Sequence, residues 1–128
     1  MSDSMSASKA NEPKGTIFIN TFHTMDREDQ EKVVQSLIQT TEEVIRYQPG
    51  FISATVQQSL DGKTVTNVAR WRSAEDLKRA QETPEMLAHR NVMGNQYKRE
   101  GYLGPIVYTY TGQAELSPSS SGGDGDHQ

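Results

Sequence analysis

Residues 49–73, PGFISATVQQSLDGKTVTNVARWRS, read as two alternating strands joined by an Asp61-Gly62 turn. Asp-Gly between two alternating runs is a strong hairpin signal, because a type I′ turn needs positive φ at both central positions. The strands are expected near 51–60 and 63–72. Side chains alternate with a period of two, so Val65, Asn67, Ala69 and Trp71 share one face of the second strand, opposite Thr64, Thr66, Val68, Arg70 and Arg72. The first face is apolar enough to point at a core, yet it carries the amide of Asn67.

Working outward, Thr16 to Phe22 (TIFINTF) is rich in β-branched and aromatic residues and predicts a first strand. Phe18, Asn20 and Phe22 lie on one face of it, Ile17, Ile19 and Thr21 on the other. A helix follows, with Asp26 as N-cap and Glu28, Asp29 and Glu31 near its positive end. Val33, Val34, Leu37, Ile38, Thr41, Val44 and Ile45 recur at helical spacing as its buried stripe, and Pro49-Gly50 stops it. Beyond the hairpin, Ser73 and Asp76 form a capping-box-like start to a second helix, and Thr83-Pro84 breaks and re-aims it. KREGYLGP reads as a loop, and Ile106 to Gly112 (IVYTYTG) as the fourth strand.

Strand, helix, strand, strand, helix, strand is the order of the split βαβ, ferredoxin-like α+β fold, an antiparallel sheet with helices on one face. The other face, with Ile17, Ile19, Thr64, Thr66 and Val68, is too apolar to be left in water. A second copy packed sheet to sheet would cover it, so a homodimer is expected.

The 128 residues suit one domain with tails, and the 33% hydrophobic content is lowest at the ends. Residues 1–14 and 115–128 hold few large apolar groups and many Ser, Gly, Asp and Pro, which predicts disordered tails around a domain at 15–114. Thirteen basic and 17 acidic residues leave a net charge of −4 with no basic block, which argues against nucleic acid as a partner. No apolar run approaches the roughly 20 residues of a membrane span, and no signal-peptide pattern opens the chain, so a soluble, cytoplasmic protein is expected. With no cysteine there is no disulfide, thiolate metal site or thiol nucleophile. Three scattered histidines lack metal-ligand spacing, and Gly-rich phosphate or dinucleotide loops are missing, so neither metal nor cofactor is expected.

The candidate site grows from Asn67. Burying an unpaired amide costs about 1–3 kcal/mol, and Asn20 sits between Phe18 and Phe22 in the same kind of position on the first strand. Each amide alone could bond a neighbouring backbone group; the two together, with Trp71 in line, point to a ligand cavity. Trp71 can serve as a core anchor or as a flat wall with one N–H donor. On the last helix, Arg90 is either surface decoration or a cation for a developing oxyanion, and His89 either a solvated residue or a general base. His23 and His127 carry less.

The run QTTEEVIRYQPGFISATVQQSLDGKTVTNVARWRSAEDLKRA resembles the antibiotic biosynthesis monooxygenase family, most clearly at Pro49-Gly50-Phe51, Ser59-Leu60-Asp61-Gly62 and Asn67-x-x-x-Trp71 followed by Arg72-Ser73. The likeness covers about Gly15 to Thr111 and implies a dimeric α+β barrel. It further implies oxidation of a polycyclic anthrone or phenol to a quinone by O2 without a cofactor. Asn67, Trp71 and Arg90 match the family's substrate-activating positions and Asn20 its strand-one asparagine, with Phe18, Phe22 and His89 as further substrate-binding candidates. Val68 departs from the aromatic residue often found after the strand-three asparagine. A non-oxidative binding or isomerising protein is the alternative. Haem degradation is a third reading: Asn20 and Trp71 fit it, but Gln81 and Glu82 stand where its histidine is expected, with His89 roughly two helical turns later.

Overall fold

A computed structural model describes residues 15–114; both expected tails lie outside the described residues. Residues 107–114 belong to a separate unit from 14–106, and they contain no helix or strand.

The larger unit has the expected order. Strands β1 (Thr16–His23), β2 (Phe51–Gln58), β3 (Thr64–Trp71) and β4 (Lys98–Pro105) alternate with helices α1 (Arg27–Glu43), α2 (Ala74–Gln81) and α3 (Pro84–Gln96). The strands form one antiparallel sheet in the order β2-β3-β1-β4, the ferredoxin-like arrangement.

Three local expectations need correction. The fourth strand is Lys98–Pro105, the stretch read as a loop, while residues 106–112 form no strand. Its two glycines, proline and run of charges look loop-like, but β1 offers an open edge and pairs with all eight residues, from His23↔Lys98 to Thr16↔Pro105. Charge is what an exposed edge strand tolerates and a central one does not. Second, the hairpin turn is not type I′, because Gly62 has positive φ and Asp61 does not. The Gly62 N–H instead closes a turn onto the Ser59 carbonyl, and Asp61 uses its carboxylate to accept from Ser59 Oγ (2.6 Å) and Lys63 N (2.9 Å). Third, the buried stripe of α1 is Gln30, Val33 and Leu37, while Ile38 is exposed and the helix ends before Val44 and Ile45. Gln30 is buried because its amide donates to the carbonyls of Ser59 (3.0 Å) and Thr64 (2.9 Å), tying α1 to the hairpin.

The caps are those the sequence predicts. Asp26, Ser73 and Thr83 each accept the N–H three residues on, through their side chains, and Pro84 occupies the first turn of α3. Asp76 does more than complete its capping box. Its carboxylate is buried and accepts from Arg72 Nε (2.7 Å), Arg79 Nη2 (2.5 Å) and Ser73 Oγ (3.0 Å). The Arg72 bond, helped by Ser73 and Arg79 and opposed by burial, holds its pKa down to about 2. An unfolded aspartate titrates near ~3.9, so the folded state favours the charged form. That stability is present in full above the unfolded pKa and is lost as pH falls from about 4 through 2. Denaturation curves between pH 2 and pH 6 are expected to show this loss in the wild type and not in Asp76→Asn; parallel pH profiles would contradict it.

Candidate functional site

The inner face of the sheet is built from alternate residues, and its register sets the site. Asn67 on β3 lies directly opposite Asn20 on β1 and Val56 on β2, and Asn20 in turn faces Gly101 on β4. The neighbouring row is Ala54, Ala69, Phe18 and Leu103. Gly101, Ala54 and Ala69 therefore leave space beside the two amides on the inner face.

The core is correspondingly split. One cluster holds Phe22, Val33, Leu37, Val65 and Met93, and the other Ala69, Trp71, Leu77 and Ala80. Between them lies a cavity of about 350 Å³, at the lower end of the range for small-molecule sites. Phe18, Asn20, Phe22, Asn67, Trp71, His89 and Arg90 all line it. The sheet supplies its floor, and α1, α2 and α3 supply the remaining walls through Leu37, Leu77 and Met86 among others.

Two polar atoms on this floor are buried and have no hydrogen-bond partner: Asn67 Oδ1 and Trp71 Nε1. Trp71 is only 2% exposed, and Phe51 packs edge-on against its ring at a centroid distance of 5.4 Å. This contact holds the indole plane while leaving its N–H unspent. An acceptor and a donor left unpaired in a protein interior each carry a desolvation cost of about 1–3 kcal/mol, which a ligand offering the complementary groups would remove.

His89 is half-buried, and its Nδ1 lies 3.0 Å from Thr40 Oγ1 of α1. Burial pushes its pKa below the ordinary histidine value, so the ring is neutral at pH 7 and can take a proton. Arg90 is exposed, one residue further round α3, and reaches the same cavity. His23 lies on the opposite face of β1 from Asn20, beside Glu100 at 3.8 Å. His127 lies outside the described residues. Among the described residues no three His, Asp or Glu side chains converge as metal ligands.

Sequence reading missed Arg99. It follows the inner face of β4, opposite Phe22, and its Nη1 donates to Asn20 Oδ1 at 2.8 Å. The signal was present, since alternation along 98–105 puts Arg99 and Gly101 on one face, but it is visible only once that stretch is known to be a strand. Thr40 was missed as well; nothing in the sequence pairs it with His89.

Comparison with known proteins agrees with this architecture. Residues 16–92 match the family described as antibiotic biosynthesis monooxygenase. Over 62 residues the chain is 42% identical to the tetracenomycin-F1 monooxygenase of Streptomyces glaucescens, a match that spans 48% of this chain and 55% of that protein. The chain thus spans about half the length of this curated relative. Among solved structures, a monooxygenase from the ActVA-Orf6 gene of Streptomyces coelicolor, in complex with nanaomycin D, superposes with a TM-score of 0.70 at 24% identity. That alignment covers 77% of this chain and 93% of the other. SnoaB, a cofactor-independent oxygenase from Streptomyces nogalater, gives 0.61 at 22% identity, covering 78% and 96% respectively. At these identities the structures establish the fold. No helix among the described residues is long and apolar enough to cross a membrane.

Proposed function

Because the chain belongs to the antibiotic biosynthesis monooxygenase family, we propose that it is a cofactor-independent monooxygenase that oxidises a polycyclic anthrone or phenol to a quinone with O2. The observation that carries this reading is the pair of unpartnered buried atoms, Asn67 Oδ1 and Trp71 Nε1, on the floor of an apolar cavity. One accepts and the other donates, which suits the hydroxyl and carbonyl groups of an anthrone. The two residues are four positions apart on one strand, roughly 13 Å along its axis. A span of that size favours fused rings over a single ring. The relative's own name, a monooxygenase of tetracenomycin F1, fits the same substrate class.

The chemistry needs an acidic C–H and a stabilised anion. Removing a proton from the anthrone methylene gives a carbanion whose charge is shared with the carbonyl oxygen. The neutral His89 ring is a suitable proton acceptor. The Trp71 N–H and the Arg90 guanidinium stabilise the oxyanion, and Asn67 orients a hydroxyl at the far end of the ring system. The anion passes one electron to O2, the resulting radical pair combines to a peroxide anion that takes the proton back from His89, and loss of water from the hydroperoxide leaves the quinone. One anthrone and one O2 thus give one quinone and one H2O.

Oxygen uptake with dithranol, an anthrone, is expected to exceed its spontaneous rate in proportion to enzyme. No enzyme-dependent uptake would overturn the proposal, and turnover of dithranol without oxygen would favour the isomerising alternative, for which His89 is equally placed.

The proposal includes a homodimer. Ile19 is 37% exposed on the outer face of the sheet, opposite Val68 and on the same face as Ile17, and a second copy placed face to face would bury it. Light scattering of the purified protein is expected to give twice the chain mass.

A further inference from the structure

The charged side chains lining the cavity are all basic. Arg90 reaches it from α3 and Arg99 from β4, and no aspartate or glutamate borders it. This is unusual ground in a chain with a net charge of −4. Glu100, next to Arg99, faces His23 on the other side of the sheet, and Asp76 is held by Arg72 and Arg79. Among the described residues neither Arg90 nor Arg99 has a carboxylate partner.

Arg99 is also held in place. Its guanidinium runs along the inner face of β4, passing over Gly101, where a Cβ would come within 3.4 Å of Nη1. It ends on Asn20 Oδ1 at 2.8 Å. One N–H is used there, and a guanidinium has four more in a planar fork that matches a carboxylate.

We infer that Arg99 is a specificity-determining residue that binds a carboxylate carried by the aromatic substrate, with Asn20 fixing the guanidinium. The inference rests on the cavity being the substrate site proposed above. It adds that the substrate is an aromatic acid, whose carboxylate would replace solvent on these two exposed guanidiniums at the cavity edge.

The test is isothermal titration calorimetry of the intact protein with anthraquinone-2-carboxylate and with anthraquinone-2-carboxamide, which differ in charge and little in shape. The wild type is expected to bind the carboxylate about tenfold more tightly, as for one charge-assisted contact at a partly open site. Arg99→Gln should reduce that ratio to about twofold or less, and Arg99→Lys should keep part of it. Equal affinity of the wild type for the two ligands would overturn the inference. So would Arg99→Gln weakening both alike, which marks a structural prop for Asn20, or leaving the ratio intact, which assigns the preference to Arg90 alone. Thermal melts of both variants verify the fold. Neither quinone consumes oxygen. A protein that discriminates the pair but takes up no oxygen with dithranol therefore refutes the monooxygenase and not Arg99, and the reverse pattern refutes Arg99 alone.

Discussion

Replacing Asn67 by alanine is expected to lower dithranol-dependent oxygen uptake by about 10²-fold, the loss that a substrate misplaced by about 1 Å can cause. The same substitution is expected to leave Tm unchanged or to raise it slightly. Asn67 Oδ1 is buried without a partner, so the side chain carries a desolvation cost in the ligand-free protein that alanine relieves. Opposite signs for activity and stability separate a ligand-binding amide from a structural one. A structural amide bonded to its neighbours would lose stability on truncation, and activity only as a consequence. Asn67→Ala with wild-type oxygen uptake would remove Asn67 from the site. Trp71→Phe gives a weaker contrast, because it keeps the ring against Phe51 while deleting the N–H.

The second large effect concerns folding, at a residue outside the cavity. Gly50→Ala is expected to destabilise the domain by on the order of 3–5 kcal/mol and to lower Tm by more than about 10 °C. Gly50 has a φ of 89°, which L side chains rarely adopt, and a Cβ there would land on the carboxylate of Asp76. That carboxylate cannot step aside, because Arg72, Arg79 and Ser73 hold it from three directions. The Gly50 carbonyl also accepts the Arg72 N–H at 2.7 Å, so moving the glycine disturbs the anchor of the same network. Gly94→Ala on α3 is the control: nothing lies within 4 Å of its Cβ position, and a gain of about 0.5–1 kcal/mol is expected from helix propensity. Equal melting temperatures for Gly50→Ala and the wild type would show that the glycine is not needed for its conformation.

Gly50 also shows how much local sequence encodes. Pro49-Gly50 reads as a helix stop, yet α1 already ends at Glu43 and a 3-10 turn over Ile45–Tyr47 intervenes; the role Gly50 does have depends on Asp76, a residue 26 positions later. The capping box of Ser73 and Asp76 is legible because the bonded groups are three residues apart. That Arg72 and Arg79 both converge on Asp76, and that Gly50 must leave room for it, follows from the packing of α2 against the end of β3.

The inner face of β3 was fully legible, because strand alternation is local geometry and Val65, Asn67, Ala69 and Trp71 are all buried. The same alternation along β1 placed Asn20 with Phe18 and Phe22. Their pairing, Asn20 directly opposite Asn67, is a matter of register, and register is set by which strands meet. The fourth strand was misplaced because propensity favours IVYTYTG, while the open edge of β1 pairs with Lys98–Pro105. Arg99 was hidden by that misplacement.

By itself, then, the sequence determined what short-range physics can express: the caps, the helix break at Thr83-Pro84, the strand faces, and an amide and an indole on an apolar surface. The tertiary structure alone decided that the core divides around a cavity, that Asn67 Oδ1 and Trp71 Nε1 are left unpaired in it, and that Arg99 is held there by Asn20. Those outcomes depend on which distant groups become neighbours, and hydrogen-bond satisfaction and charge balance exist only between neighbours.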